Sequence, residues 1–449
     1  MYNTFDSRIK IDTPSPFHYY LISMVNRLSI KAAFRLYNIG WNIAVPALRL
    51  NKRLAEGFKQ RILREKLPEA DIWIQAASVG EAFLAKELLD NFKPSNPTRI
   101  LVTSNTSQGI EILKQAVSEI TPNNRGITAF TAYFPFDKPT IMARAVCDIS
   151  PKIMVLLESE MWPAHLAALK KNDSKILIIN GRITSKSLSR YLIWPSLWRT
   201  LSPDRILAIS ENDAERFAIL FGKNRVNVMP NIKFDRLGDS ESTSKKKNPL
   251  KNIISPKTPF IVLGSVRQDE EHLIEKIIAD ILLRQPETVI GLFPRHMQRV
   301  KYWENTLSRL SMPWILRSKT THPASPGTVI LWDTFGELSL AYKISKAAFV
   351  GGSLVPLGGQ NFLEAIIFGV VPVIGPSWEN FAWVGSEIIH EGLVIIANDW
   401  TEVADTLVKG IKNPTSHETV RKSALEYLKD RRGGIETACL LIREFLNKM

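Results

Sequence analysis

At 449 residues, 45% hydrophobic and 23% charged, the chain is too long for one ordinary core and too apolar to be disordered, so two or three folded domains are expected. Its two cysteines, Cys147 and Cys439, are far apart in sequence, which excludes a disulfide framework and a cysteine-rich metal site and suits a reducing compartment. A formal net charge of +14 points to anionic partners: phosphates, nucleic acid or an anionic membrane.

Much of that charge lies at the start, where residues 1–66 hold twelve Lys/Arg against four Asp/Glu. The stretch FHYYLISMVNRLSIKAAFRLYNIGWNIAVPALRLNKR carries Arg27, Lys31, Arg35 and Arg49 among aromatic and aliphatic residues. No apolar run reaches the ~18 residues of a spanning helix. Tyr19, Tyr20, Tyr37 and Trp41 are residue types of a membrane–water interface. The segment reads as an amphipathic helix lying on an anionic membrane surface; a basic helix covering a neighbouring domain is the other reading. A cleaved signal peptide does not fit, because the apolar stretch starts late and no small-residue cleavage site follows.

From Ala70 short apolar runs alternate with helical patterns. DIWIQAAS, RILVTSN, ITAFTAYFPF, KIMVLLES, KILIING and RILAIS read as strands, each bounded by turn residues or followed by a helical pattern. DRLGDSESTSKKKNPLKNIISPKTP breaks the series as a polar linker. Alternation restarts with FIVLGS, TVIGLFPRH, TVILWDT, AAFVGGS, VVPVIGP and GLVIIA. This predicts an α/β protein of two doubly wound, Rossmann-like halves, with ligand beyond the carboxyl ends of the strands. The boundaries expected are 1–66 for the membrane segment, 67–236 for the first domain, 237–258 for the linker and 259–449 for the second, its last helix packing back on the first.

Candidate chemistry clusters at strand ends. FVGGSLVPLGGQNFLEA places Gly351, Gly352 and Ser353 after a strand, then Gly358 and Gly359 ahead of a helix with Asn361 and Glu364. Glycines permit close backbone approach, a helix N-terminus attracts phosphate, and an early helical glutamate can accept from ribose hydroxyls. FPRHMQR supplies Arg295 and His296, with Arg299 beyond, as phosphate donors. DTFGEL adds Gly336 and Glu337, and PNIKFD adds Lys233 to face a phosphate or carboxylate. In the first half, Glu81 opens a helix in SVGEA, while Glu158 and Glu160 end a strand, as acid–base partners or as anchors for residues such as Arg182. The helix dipole is expected to lower the pKa of Glu81 and keep it ionised. No Walker A, regular GxGxxG, metal-holding DxD, HExxH or GxSxG pattern occurs. His165, a lone histidine, reads as a satisfied structural residue.

Taken in order, SVGEA, TSNTSQG, YFPFD, ESEMWP, NGRITSKS, PNIKFD, PRHMQR, DTFGEL, FVGGSL and GGQNFLEA resemble the Kdo (3-deoxy-D-manno-octulosonic acid) transferase family of GT-B glycosyltransferases. The resemblance implies a GT-B fold, two Rossmann-like domains facing a central cleft, with an N-terminal membrane-associated helix on the cytoplasmic face of the bacterial inner membrane. It implies inverting transfer of Kdo from CMP-Kdo to a lipid A precursor, with no metal or other cofactor and no nucleic-acid partner. Glu81 corresponds to the family's general base. Arg295, His296, Gly336, Glu337, Asn361 and Glu364 correspond to its CMP-binding words, and Lys233 and Ser353 join that side. Gln75, Arg267 and Gln360 depart from the usual pattern, each near a position where the family commonly shows histidine. The rival readings are a related GT-B transferase or epimerase using a UDP-sugar, and a non-catalytic nucleotide-sugar-binding membrane protein.

Overall fold

The computed structural model describes residues 16–120, 126–235 and 248–448, without the side chains of 16–28, 52 and 53. The chain forms two compact units, Met1–Pro230 with Gly433–Met449, and Asn231–Arg432.

The first unit is built on strands β1 (Ile72–Ala76), β2 (Thr98–Ser104), β3 (Ile127–Tyr133), β4 (Ile153–Leu157), β5 (Lys175–Gly181), β6 (Arg205–Ala208) and β7 (Val226–Val228). They pair in parallel in the order β3-β2-β1-β4-β5-β6-β7. β1 and β4 are buried along their whole length, as central parallel strands covered on both faces must be. Successive strands first build outward from β1 through β2 to β3, then reverse at β4. The order therefore changes direction between β1 and β4, where the loops that follow them diverge.

The second unit repeats the plan with β8 (Phe260–Val266), β9 (Val289–Pro294), β10 (Trp314–Leu316), β11 (Val329–Leu331), β12 (Ala347–Val350), β13 (Pro372–Ile374) and β14 (Ile395–Ile396), ordered β10-β11-β9-β8-β12-β13-β14. Phe260, Val262, Ala348 and Val350 enter one core cluster, while Ile261, Leu263, Ala347 and Phe349 enter another. That alternation puts an apolar core on each face of the sheet. Here the reversal falls between β8 and β12.

The strands β7 and β10 have no counterpart in the sequence reading. Each has three residues and lies at a sheet edge, too short to show a period. Much of the linker expected at 237–258 lies outside the described residues. Its end belongs to the second unit, because Leu250, Ile253 and Ile254 are buried in that core. The helix Gly434–Asn447 belongs to the first unit, burying Ala438, Cys439 and Ile442 beside β4, β5 and the helix after β1.

Helix α1 (Pro16–Leu48) is followed by the single turns α2 (Lys52–Ala55) and α3 (Phe58–Arg61). Phe34 and Tyr37 pack on the first unit's core, and the Trp41 ring lies 5.8 Å from that of Phe136. Tyr37 Oη donates to Asp137 Oδ2 at 3.0 Å. Tyr37 and Trp41, read from sequence as membrane-interface residues, therefore hold α1 to the protein; the side chains of Tyr19 and Tyr20 are outside the described ones. On the opposite side Leu36, Ile39 and Ile43 are 69%, 54% and 75% exposed, forming an apolar stripe at helical spacing. Among the described residues no helix is long and apolar enough to cross a membrane.

Candidate active site

In the first unit the strand-order reversal brings three carboxylates to one sheet edge. Helix α4 (Val79–Asn91) starts just after β1 and is capped by Ser78, whose backbone is extended. Ser78 Oγ accepts the Glu81 N–H at 3.3 Å and donates to Glu81 Oε1 at 2.9 Å, while Glu81 Oε2 accepts the Ala77 N–H at 2.7 Å. The result is a reciprocal cap, and it leaves the carboxylate only 7% exposed.

This environment overturns the expectation of a lowered pKa. Burial pushes the Glu81 carboxyl up to about 7; the Ala77 N–H opposes this, Glu158 and Glu160 raise it further, and Ser78 opposes. Desolvation and like charge outweigh the helix dipole because the group is buried. A carboxylate of this pKa is a stronger base than an ordinary one and still ionises near neutrality.

Glu158 and Glu160 follow β4, across the reversal from Glu81. Glu158 adopts a left-handed backbone (φ 57), a conformation that costs of order 1–3 kcal/mol for a side chain other than glycine and gathers at functional sites. Glu160 Oε2 accepts from Trp162 Nε1 at 2.8 Å, and burial raises the Glu160 pKa.

Behind the site, Gln75 is fully buried: its Oε1 accepts from Thr103 Oγ1 at 2.5 Å and its Nε2 donates to Asn105 Oδ1 at 3.2 Å. Asp137, from the YFPFD word, accepts the Ala164 and His165 N–H groups at 3.1 and 2.7 Å, so it caps the helix Pro163–Lys171 and receives Tyr37 from α1. His165 is structural but not satisfied. Wedged against Trp73 and Phe134 at 4.6 and 5.1 Å, it has no partner for either ring nitrogen, and burial drives its pKa down to about 3.

In the second unit the glycine-rich loops are closed on themselves. Glu270, fully buried, accepts from the N–H groups of Arg267 and Gly352 at 2.9 and 2.5 Å. A Cβ at Gly351 would stand 2.4 Å from Glu270 Oε1, so only glycine lets that carboxylate seat. The N–H groups of Gly358, Gly359 and Gln360 go to Ser377 Oγ, Gly352 O and Gly351 O. The helix expected after Gly359 is one turn, Leu363–Ile367, so its dipole is slight. Backbone N–H capture of phosphate, the expectation for this stretch, therefore gives way to side chains.

Those side chains sort into two sets. Ser353 is buried, donating to Val350 O at 2.7 Å and accepting from Gly375 N at 2.8 Å, which ties β12 to β13. Glu337 is held by Arg317 through two 2.8 Å contacts, by Trp332 Nε1 at 2.9 Å and by Thr334 Oγ1 at 3.1 Å. Both serve the frame. Arg299 is likewise bound to Glu271. In contrast, Arg267 and Arg295 follow β8 and β9, adjacent strands, and neither guanidinium has an ion-pair partner among the described residues.

His296 and Asn361 are exposed, and Gly336 is left-handed (φ 82) with open space around it. Glu364 is partly buried, makes no hydrogen bond among the described residues, and has its pKa raised by burial. Lys233 Nζ lies 5.8 Å from the Trp383 ring centroid. Gln360 Nε2 turns back to Gly359 O at 3.2 Å. Sequence reasoning missed Glu270 and Arg317 as the residues that organise these loops. Glu270, three residues after Arg267, carried a helix-start signal; Arg317 carried none.

Comparison with known proteins bears on both units. A family model described as 3-deoxy-D-manno-octulosonic-acid transferase (kdotransferase) matches residues 49–236. The chain is 28% identical over 414 residues to a 3-deoxy-D-manno-octulosonic acid transferase of Haemophilus influenzae, covering 90% of this chain and 94% of that protein. It is 27% identical over 383 residues to one from Rickettsia conorii, covering 84% and 79%. A solved glycosyltransferase from Rickettsia africae aligns over 85% of this chain and all of that one, at 10% identity and a TM-score of 0.51, a likeness of fold alone. With the two parallel sheets, this is the α/β GT-B fold.

Proposed function

The chain belongs to the Kdo transferase family, and from that premise we propose that it moves Kdo from CMP-Kdo to a lipid A precursor, with inversion and without a metal. It is thus a glycosyltransferase of lipopolysaccharide biosynthesis.

The observation that carries the mechanism is the Glu81 carboxylate, set where the sheet order reverses and pushed up to about 7. In its ionised form Glu81 takes the proton of the acceptor hydroxyl. That oxygen bonds to the anomeric carbon of Kdo as the bond from this carbon to the phosphate oxygen of CMP breaks, and CMP leaves with the electron pair. Attack opposite the leaving group inverts the centre. Arg267, Arg295 and His296 neutralise the departing phosphate, and Glu364, lacking an internal partner, accepts from the ribose hydroxyls. Asn361, Lys233 and the open turn at Gly336 complete the donor side. Glu337 and Ser353 support it from behind.

The exposed stripe of Leu36, Ile39 and Ile43, beside Lys31 and Arg35, supports peripheral attachment of α1 to anionic lipid on the cytoplasmic face of the inner membrane. The decisive test is to incubate the purified protein with CMP-Kdo and a tetra-acylated lipid A precursor and weigh the product. A mass gain of one or more Kdo units supports the reading. CMP binding with no lipid product overturns it.

A further inference from the structure

A second cavity in the first unit lies at the edge strand β3, away from the carboxylates, and its volume is about 510 Å³. Its wall comes from the α1–α3 segment, β3 and helix α5 (Ser107–Ile120). Four cations line it: Arg49, Lys59, Arg64 and Lys114. All four are exposed, and none has an ion-pair partner among the described residues. One acid, Glu65, shares the wall and is tied to Gln60 Nε2 at 3.4 Å.

The floor is built rather than incidental. Gly57 has φ 68 and passes so close to Tyr133 that a Cβ would meet that ring at 1.9 Å. Gln60 Oε1 accepts the Tyr133 N–H at 3.0 Å. Beneath them the buried Arg61 guanidinium sits 4.7 Å from the Tyr133 ring centroid and donates to the Phe134 and Asn105 carbonyls. In the same wall Thr131 Oγ1 is buried without a hydrogen-bond partner. Four unpaired cations around a fixed floor with a spare hydroxyl make an anion site, and a cavity of this size admits a whole sugar ring with its phosphate.

We propose that this cavity binds a phosphomonoester-bearing sugar of an anionic glycolipid headgroup. β3 lies two strand spacings from β1, roughly 10 Å along the sheet from the strand that leads to Glu81. Arg49, at the cavity rim, is also the residue after α1 and its exposed stripe, so a lipid-surface helix runs directly into the site. A glycolipid held here by its phosphate presents a neighbouring sugar to the carboxylate end of the sheet. Identifying that lipid with the acceptor rests on the transfer reading above; the phosphate recognition does not.

The test uses the full-length protein in calorimetric titrations with glucosamine 1-phosphate, glucosamine, inorganic phosphate and dihexanoyl phosphatidic acid. Binding of glucosamine 1-phosphate, no binding of glucosamine, and at least tenfold weaker binding by Arg64→Ser/Lys114→Ser support the site. CMP affinity, read in the same variant, is unchanged. Preference for phosphatidic acid over the sugar phosphate overturns the sugar assignment, and equal binding by wild type and variant overturns the site. If the variant loses the sugar phosphate while wild type makes no Kdo product, the site stands and the transfer reading falls.

Discussion

Ser78 and Glu81 hold each other twice, the hydroxyl accepting the Glu81 N–H while donating to its carboxylate. Glutamine at position 81 keeps this geometry, since its oxygen accepts from Ala77 and its amide nitrogen donates to Ser78. Glu81→Gln is therefore expected to fold normally and to lose transfer by ~100-fold or more, the scale of general-base catalysis. Single-turnover assays with radiolabelled donor measure this, and near-normal turnover would remove Glu81 from the mechanism.

The transfer rate should rise with pH through about 7 and then level, because the base is the ionised form. Glu158 and Glu160 both raise that pKa, so Glu158→Gln/Glu160→Gln should move the rising limb to lower pH. Stability runs the other way. The folded-state pKa of Glu81 lies above its unfolded value, so its favourable contribution is complete below about 4.3 and is lost as pH rises through about 7. Urea denaturation at pH 5 and pH 8 should thus show Glu81→Gln gaining on wild type at the higher pH. A limb unmoved in the double variant would mean that the three carboxylates do not interact.

His165→Phe should stabilise the first unit by roughly 1–2 kcal/mol at neutral pH, since it removes a buried polar ring with no partner while keeping the contacts with Trp73 and Phe134. The folded pKa of about 3 lies below the unfolded value, so the unfolded chain binds the extra proton and wild type weakens as pH falls below about 6.5. The gain from the substitution should therefore be larger at pH 5 than at pH 7.5. Chemical denaturation at both values measures it, and a destabilised variant at pH 5 would show that the histidine is hydrogen-bonded.

In the second unit, Glu364→Ala and Ser353→Ala should part company. The first is expected to weaken CMP binding about tenfold, the loss of one charge-assisted hydrogen bond, with little effect on unfolding. The second should leave CMP affinity within about twofold but cost roughly 1–2 kcal/mol of stability, because the Gly375 N–H loses its acceptor. Calorimetry with CMP and thermal unfolding separate the two; the reverse pattern would exchange their roles.

Leu36→Ser/Ile39→Ser/Ile43→Ser should abolish sedimentation with phosphatidylglycerol vesicles while leaving the fold intact, since those side chains touch solvent. Wild-type binding should fall with added salt as the basic flank is screened. Unchanged sedimentation of the triple variant would place membrane contact elsewhere.

Strand periodicity made the two parallel sheets legible before any coordinates, and strand ends such as SVGEA and LLESE pointed to the carboxylates that the sheet reversal assembles. What the sequence hid was how polar groups are used. Gly351 and Gly352 look alike whether their N–H groups are free or taken, and Glu270, from a distant word, takes one of them. Glu337 reads as a ligand group until Arg317 is seen against it. The pKa of Glu81 was misjudged in sign because a helix start is local, whereas its desolvation comes from the packed sheet around it. Three-residue edge strands such as β10 escape any periodic signal.

The C-terminal helix has a consequence for synthesis. Gly434–Asn447 lies on the first unit, against the helix that begins beside Glu81, and Arg443 donates to the Lys93 carbonyl at 3.1 Å. The unit that emerges first from the ribosome is therefore finished only when the last residues of the chain arrive. Until then the surface that Ala438, Cys439 and Ile442 will cover stays open, and the nascent base-bearing half waits on the complete translation of the donor-binding half.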